Sequence, residues 1–118
     1  SGNGAQLAFG ASNGDSWGTF TNITTGTQYS ETALVYSNDN RMLALSRIDS
    51  GGYIHVFFSD DGGQTWQDIG NANLGSASGV SMATALLNGD TLYITYCDRG
   101  TSTVKLSISS FHNIVSTI

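Results

Sequence analysis

The chain of 118 residues has no proline, one cysteine (Cys97), one glutamate (Glu31) and only 11 % charged residues. A single cysteine excludes an internal disulfide and a cysteine-based zinc site, so we expect Cys97 to be a small buried hydrophobe. Only four residues are basic and the formal net charge is −5. Nucleic acids and anionic membranes recruit proteins through clustered Lys and Arg, so neither is an expected partner. No apolar run has the length of a membrane helix, which predicts no membrane insertion.

The residues that are abundant point to one fold class. The chain contains 15 glycines and is rich in Ser, Thr and Asn. Small and polar residues of these types fill tight turns, while the intervening β-branched and aromatic residues favour strands. The composition therefore predicts an all-β protein built from many short strands.

An internal repeat organises these strands. The segments LVY (34–36) and MLALS (42–46) flank the polar turn SNDN and predict a hairpin. A second hairpin, ALL (85–87) and LYITY (92–96), flanks the turn NGD. Each hairpin is followed by a polar loop and an alternating strand, and the two strands end at Ser59 and Ser109, 50 residues apart. A period of this length predicts four-stranded repeat units.

An earlier, partial copy covers only the last two strands of the unit. Its strands are residues 6–10 and 17–23, and Trp17 precedes Trp66 by 49 residues. We therefore expect a partial blade in residues 1–28, a full blade in 29–75 and another in 76–118. Blades of this kind form β-propellers of four to eight blades, so about two and a half blades cannot close alone. Completion by a homo-oligomer or by a longer polypeptide is expected.

The octet SDDGGQTW (59–66) carries a specific signal. It matches at each fixed position the Asp-box pattern Ser-x-Asp-x-Gly-x-Thr-Trp, and so resembles the sialidase (neuraminidase) superfamily of β-propellers. The resemblance implies a structural role for the box. Residues that carry it are Ser59, Asp61, Gly63, Thr65 and Trp66. The copy at 10–17 keeps Gly14 and Trp17 but has Ser12 in place of the Asp, and the copy that begins at Ser109 has lost the pattern.

A second part of the resemblance concerns function. Glu31 opens the first strand of a unit, Arg47 follows it by 16 residues at the end of the next strand, and Arg99 lies 52 residues beyond Arg47. This spacing is most similar to that of the endosialidases of phage tail spikes. It implies a glycosidase-type site in which Arg47 and Arg99 bind the carboxylate of sialic or polysialic acid. Guanidinium groups bind carboxylates through paired hydrogen bonds, and Glu31 is implied as the acid/base group.

Other interpretations of the same residues stay open. Arg47 and Arg99 lie near Asp49 and Asp98 in the sequence and could be solvated loop residues, as could Glu31. The arginine-containing first strand, the acidic aspartate and the tyrosine nucleophile of exosialidases have no counterpart here, so we expect no turnover by this chain alone. The protein would then be a non-catalytic, lectin-like module or a structural segment of a surface fibre.

The predicted setting of the protein is extracellular, at a cell or virion surface, with a glycan as ligand. No cofactor and no metal ion are expected. His55 and His112 are far apart in the sequence and have no carboxylate at metal-ligand spacing, which favours positions on the blade surface.

Overall fold

The computed structural model describes residues 5–11, 13–24, 29–48, 53–72 and 80–116. Within these ranges the protein is all-β apart from one short helix, and every strand pair is antiparallel. The predicted all-β class is thus confirmed. The elements are β1 (Gln6–Gly10), β2 (Trp17–Asn22), β3 (Tyr29–Tyr36), β4 (Met42–Ile48), β5 (Ile54–Ser59), β6 (Gln67–Asn71), β7 (Val80–Asn88), β8 (Thr91–Asp98), β9 (Thr103–Ser110) and α1 (Phe111–Val115).

The strands form three sheets within the described ranges, each made of strands that follow one another in the chain. The first sheet is β1-β2, the middle sheet is β3-β4-β5-β6 and the last sheet is β7-β8-β9. They lie within residues 1–28, 29–75 and 76–118 respectively. Both predicted hairpins are present, with Tyr36 opposite Met42 in one and Asn88 opposite Thr91 in the other.

The middle sheet lies between the other two. On one face, Val35, Leu43 and Val56 pack with residues of β8, including Leu92 and Ile94, to form the main core. On the opposite face, a smaller cluster joins the middle sheet to the first. Its members are Ile23, Ala44 and Phe57, with Ala5, Leu7, Tyr29 and Trp66 packed against them. The two-sided burial explains why β4 begins with the continuous apolar run MLAL, whereas β8 alternates buried and partly exposed positions.

The last unit departs from the predicted order of four strands. Phe111–Val115 form a helix, so they do not supply the fourth strand expected directly after β9. The Ser110 side chain caps the helix by accepting a hydrogen bond from the backbone N–H of Asn113. Phe111 is buried in the main core. The Ser110 cap and the buried Phe111 side chain thus favour a helix where the alternation of apolar and polar residues in β9 ends.

Candidate functional site

The octet 59–66, which matches the Asp-box pattern, is a tight turn at the end of β5, held together by its own side chains. The Ser59 hydroxyl accepts a hydrogen bond from the Gly63 N–H at 2.8 Å and donates one to Oδ1 of Asp61 at 2.8 Å. Asp61 also accepts hydrogen bonds from the backbone N–H and the hydroxyl of Thr65. The indole Nε1 of Trp66 donates to the Gly63 carbonyl at 3.0 Å. Each of the five predicted box residues therefore takes part in one turn network.

These hydrogen bonds also decide the protonation state of the aspartate. The Thr65 hydroxyl, the Thr65 N–H and the Ser59 hydroxyl all stabilise the carboxylate, and together they lower the pKa of Asp61 to about 2. A group with this pKa is ionised at neutral pH and has no proton to donate. Asp61 is thus suited to hold a turn and unsuited to act as a general acid.

The box turn also links two sheets. The Thr21 hydroxyl on β2 donates to the Gly63 carbonyl at 2.9 Å. Gly63 has φ +91°, and a Cβ at this position would lie 2.5 Å from Cδ2 of Leu7 on β1. Only glycine fits both the backbone conformation and this close approach. The adjacent N–H of Gly62 donates to the carbonyl of Asn40, in the β3–β4 turn.

The earlier copy of the box is more open. Asn13 and Asp15 hydrogen bond each other across the β1–β2 turn, through the Asp15 N–H and both side chains. Gly14 has φ +77°. Trp17, the counterpart of Trp66, is 65 % exposed. Ser12, which takes the place of the box aspartate, lies outside the described residues.

Glu31 and Arg47 come together on neighbouring strands of the middle sheet. Nη1 of Arg47 lies 3.1 Å from Oε2 of Glu31, and the side chains are 19 % and 48 % exposed. The pairing follows from the hairpin register, since Thr32 lies opposite Ser46 and the two hydroxyls are 2.7 Å apart. The arginine is thus mostly buried while its carboxylate partner is open to solvent.

Arg99 lies in the exposed turn that follows β8. The preceding residue, Asp98, is buried and accepts hydrogen bonds from Nζ of Lys105 at 2.9 Å and from the Gly100 N–H at 3.0 Å. The hydrogen bond from Lys105 is the main reason that the pKa of Asp98 is lowered. The structure therefore pairs Asp98 with Lys105, which leaves the guanidinium of Arg99 at the surface.

Arg47 and Arg99 hold comparable places in adjacent sheets. Arg47 is near the end of β4 and Arg99 directly follows β8, and each of these strands is second in its sheet. The first strands of these two sheets, β3 and β7, pack against each other. The structure thus brings Glu31 and Arg47 together and places Arg99 on the neighbouring sheet.

His55 has partners that the sequence did not reveal. Its Nε2 hydrogen bonds Oδ1 of Asp68, and its Nδ1 lies 2.8 Å from Oδ1 of Asn71. The ring also packs near Tyr29 and Phe57, with centroids 5.6 Å and 5.0 Å away. Asp68 is 13 residues from His55 in the sequence, and the pairing of β5 with β6 brings the two together. In the same register Asn71 lies directly opposite the histidine. These contacts link the edge strand β6 to its neighbour β5.

A separate cavity of about 320 Å³ lies between the middle and last sheets. Its walls include Leu45 and Ile94, and its polar groups include Asn71, Ser109 and Asn113. Glu31, Arg47 and Arg99 do not line it. The predicted site and this cavity are therefore distinct.

Among the described residues, no group of three or more His, Cys, Asp and Glu could hold a metal ion. In the same residues, no helix is both long enough and apolar enough to cross a membrane. Neither a protein-family model nor a curated protein matches the sequence.

Proposed function

We propose that the three sheets are blades of a sialidase-type β-propeller and that the protein recognises acidic sugars of the sialic or polysialic acid class. Arg47 and Arg99 bind the sugar carboxylate in this proposal, and Glu31 is the acid/base group. The ligand is a glycan outside the cell, at a cell or virion surface. The ion pair between Glu31 and Arg47 is the observation that supports the proposal most directly.

The chemistry of the pair suits a carboxylated sugar. The mostly buried position of Arg47 holds its guanidinium in one place, and Glu31 orients it through Nη1. A fixed guanidinium can form two parallel hydrogen bonds to a carboxylate, which a lysine cannot do. Sialic acid carries its carboxylate on the anomeric carbon, so this binding places the reacting carbon beside Glu31. The carboxylate of Glu31 can then accept a proton from a hydroxyl group.

Stacked blades bring the second arginine into the same site. In a propeller, the inner strands of successive blades surround one axis, and residues at corresponding strand ends face the same opening. The packing of β3 against β7 is consistent with such an arrangement. Arg99 is exposed, so it can turn toward a ligand held by Arg47. Two arginines would offset the overall acidity of the chain locally.

Binding of sialylated and polysialylated glycans tests this function. We expect R47A and R99A each to weaken binding by about tenfold or more, because each removes charge-assisted hydrogen bonds of about 1.5–3 kcal/mol. R47K should weaken binding almost as much, since it keeps the charge but loses the planar fork. R41A, which removes a guanidinium from the β3–β4 turn, is the matched control and should leave binding unchanged.

The proposal is wrong if the protein binds no acidic glycan, or if R47A and R99A bind as the unmodified chain does. A hydrolysis assay with the same glycans separates two classes of function. Release of sialic acid that E31Q abolishes supports a glycosidase. Binding without hydrolysis supports a lectin-like module that uses the same arginines.

A further inference from the structure

The last sheet has an apolar face that no other part of the described structure covers. Val104, Leu106 and Ile108 alternate along β9 and are 76 %, 56 % and 62 % exposed. Ile108 lies opposite Tyr93, which lies opposite Leu86, itself 66 % exposed. An apolar row thus crosses all three strands. Contiguous apolar surface of this kind marks an interaction site in a soluble protein.

The repeat shows what covers such a face. The exposed residues of β9 follow their counterparts on β5 by 50 residues. In the middle sheet these counterparts are covered by the last sheet, and Ile54 and Val56 are only 1 % and 6 % exposed. Phe58, the counterpart of Ile108, packs against the same core. The matching face of the last sheet therefore has the apolar residues of a surface on which another sheet packs, but no sheet of the described structure covers it.

The first sheet has a free face at the other end of the stack. Leu7 on β1 packs toward the middle sheet, as does its partner Thr21 on β2 through the hydrogen bond to Gly63. Side chains alternate between the faces of a strand, so the next pair, Ala8 and Phe20, faces away. Phe20 is 61 % exposed.

The free face of the last sheet is mainly apolar, and that of the first sheet carries Phe20 and Ala8 beside the uncharged pair Gln6–Asn22. Along the stack, the face of the first sheet that carries Leu7 packs on the middle sheet, and the corresponding face of the middle sheet packs on the last sheet. If the stacking continued in the same order, the free face of the last sheet would pack on the free face of the first sheet of a second copy. None of the side chains named on either face is charged. The interface would be head-to-tail, since the two surfaces differ.

We infer that two copies of this chain close into a ring of six sheets, in which the β9 face of each copy packs on the β1–β2 face of the other. The number of copies follows from closure. The described residues of one copy form three sheets, which is too few for a propeller. Three copies would supply nine such sheets, which is too many, because propellers close with about four to eight. The inference depends on the blade architecture of the proposed function and is independent of glycan recognition.

Solution mass, measured by light scattering coupled to size exclusion, tests the ring. The particle in solution should have twice the mass of one 118-residue chain. F20D and L106D each place a charge in the interface, and each should raise the dissociation constant of the dimer by roughly 30-fold or more. Both side chains are exposed within one copy, so circular dichroism should show unchanged folding. N38D, in the exposed β3–β4 turn, adds the same charge and should stay dimeric.

Mixing the two variants distinguishes a ring from other dimers. F20D keeps an intact β9 face and L106D keeps an intact β1–β2 face, so an equal mixture should regain one native interface and form a heterodimer. A symmetric dimer that joined two β9 faces would tolerate F20D and gain nothing from mixing. That result, or a chain that stays monomeric at high concentration, overturns the inference. Loss of glycan binding alone would leave the dimer intact and would count against the proposed function only.

Discussion

Two independent structural constraints require glycine at position 63. Its φ of +91° lies in a region that side chains disfavour, and Leu7 of the first sheet occupies the space that a Cβ would need. The sequence pattern gave Gly63 a structural role in the box, and the structure shows that its backbone has a positive φ. The close approach of Leu7, by contrast, depends on how the first sheet packs. The hydrogen-bond partners of Asp61, in contrast to Leu7, are the local residues Ser59 and Thr65, which could be anticipated from the motif.

The low pKa of Asp61 predicts a specific dependence of stability on pH. The pKa of Asp61 has the ordinary value of 3.8 in the unfolded chain and is about 2 in the folded chain. Between these pH values the unfolded state therefore binds more protons than the folded state. The stabilisation by Asp61 is therefore complete above about pH 4 and is lost as the pH falls toward 2. We expect D61N to be less stable at neutral pH and to lose less stability on acidification over this range.

Chemical denaturation of both proteins between pH 2 and 5 measures the effect. Other aspartates with lowered pKa values, such as Asp39, Asp90 and Asp98, are unchanged in the variant and cancel in the difference. Parallel stability curves for D61N and the unmodified chain would contradict the role assigned to the Asp61 carboxylate.

At the scale of elements, α1 is the clearest difference between prediction and structure. Asp90, in the β7–β8 turn, accepts hydrogen bonds from the Ser110 hydroxyl and from the His112 N–H. The guanidinium of Arg41 lies 5.0 Å from the centre of the Phe111 ring. The helix is thus held by residues 20 or more positions away. A five-residue helix is not stable by itself, so its formation depends on tertiary contacts.

The anchoring role of Phe111 predicts that F111A lowers the free energy of unfolding by about 3 kcal/mol or more, as expected for an aromatic residue deleted from a core. Phe111 is 2 % exposed and packs in the main core. H112A is the matched control, because His112 is exposed on the same helix and should change stability by less than about 0.5 kcal/mol. Denaturant unfolding of both variants gives the comparison. Equal effects would show that α1 does not anchor to the core.

At the scale of the whole molecule, the middle sheet is the only one of the three described sheets with a neighbour on each face. Its strand β4 also has hydrogen-bonded neighbours on both sides, β3 and β5. The outer sheets each have a free face, and β2 and β9 are edge strands. Local opening should therefore be easiest at the two ends of the stack and hardest in the middle.

Hydrogen exchange on a monomeric variant such as F20D should reveal this gradient. The amides of β4 should exchange most slowly, because their release requires global unfolding, and those of β2 and β9 should exchange much faster. In the unmodified chain, dimer formation should slow exchange in β9. Uniform protection across the three sheets would contradict the layered arrangement.

The sequence alone determined the features that arise from local patterning. Alternating apolar residues and polar turns predicted the strands and hairpins, and the period of about 50 residues predicted the grouping of strands. The octet at 59–66 predicted which residues have a structural role. The hairpin that joins Glu31 to Arg47 was also predictable, since hairpin register follows from the turn. Contacts between partners that are close in the sequence need no knowledge of tertiary packing.

Only the tertiary structure decided the rest. It replaced an expected strand with α1 and showed which sheet faces are covered. Each of these depends on strand registers or on packing between sheets, and the free energy of such contacts is not encoded in any short segment. The ends of the stack illustrate the point, since Leu106 has the pattern of a core residue and yet is exposed. Burial depends on what lies opposite a face, which the pattern of one strand cannot specify.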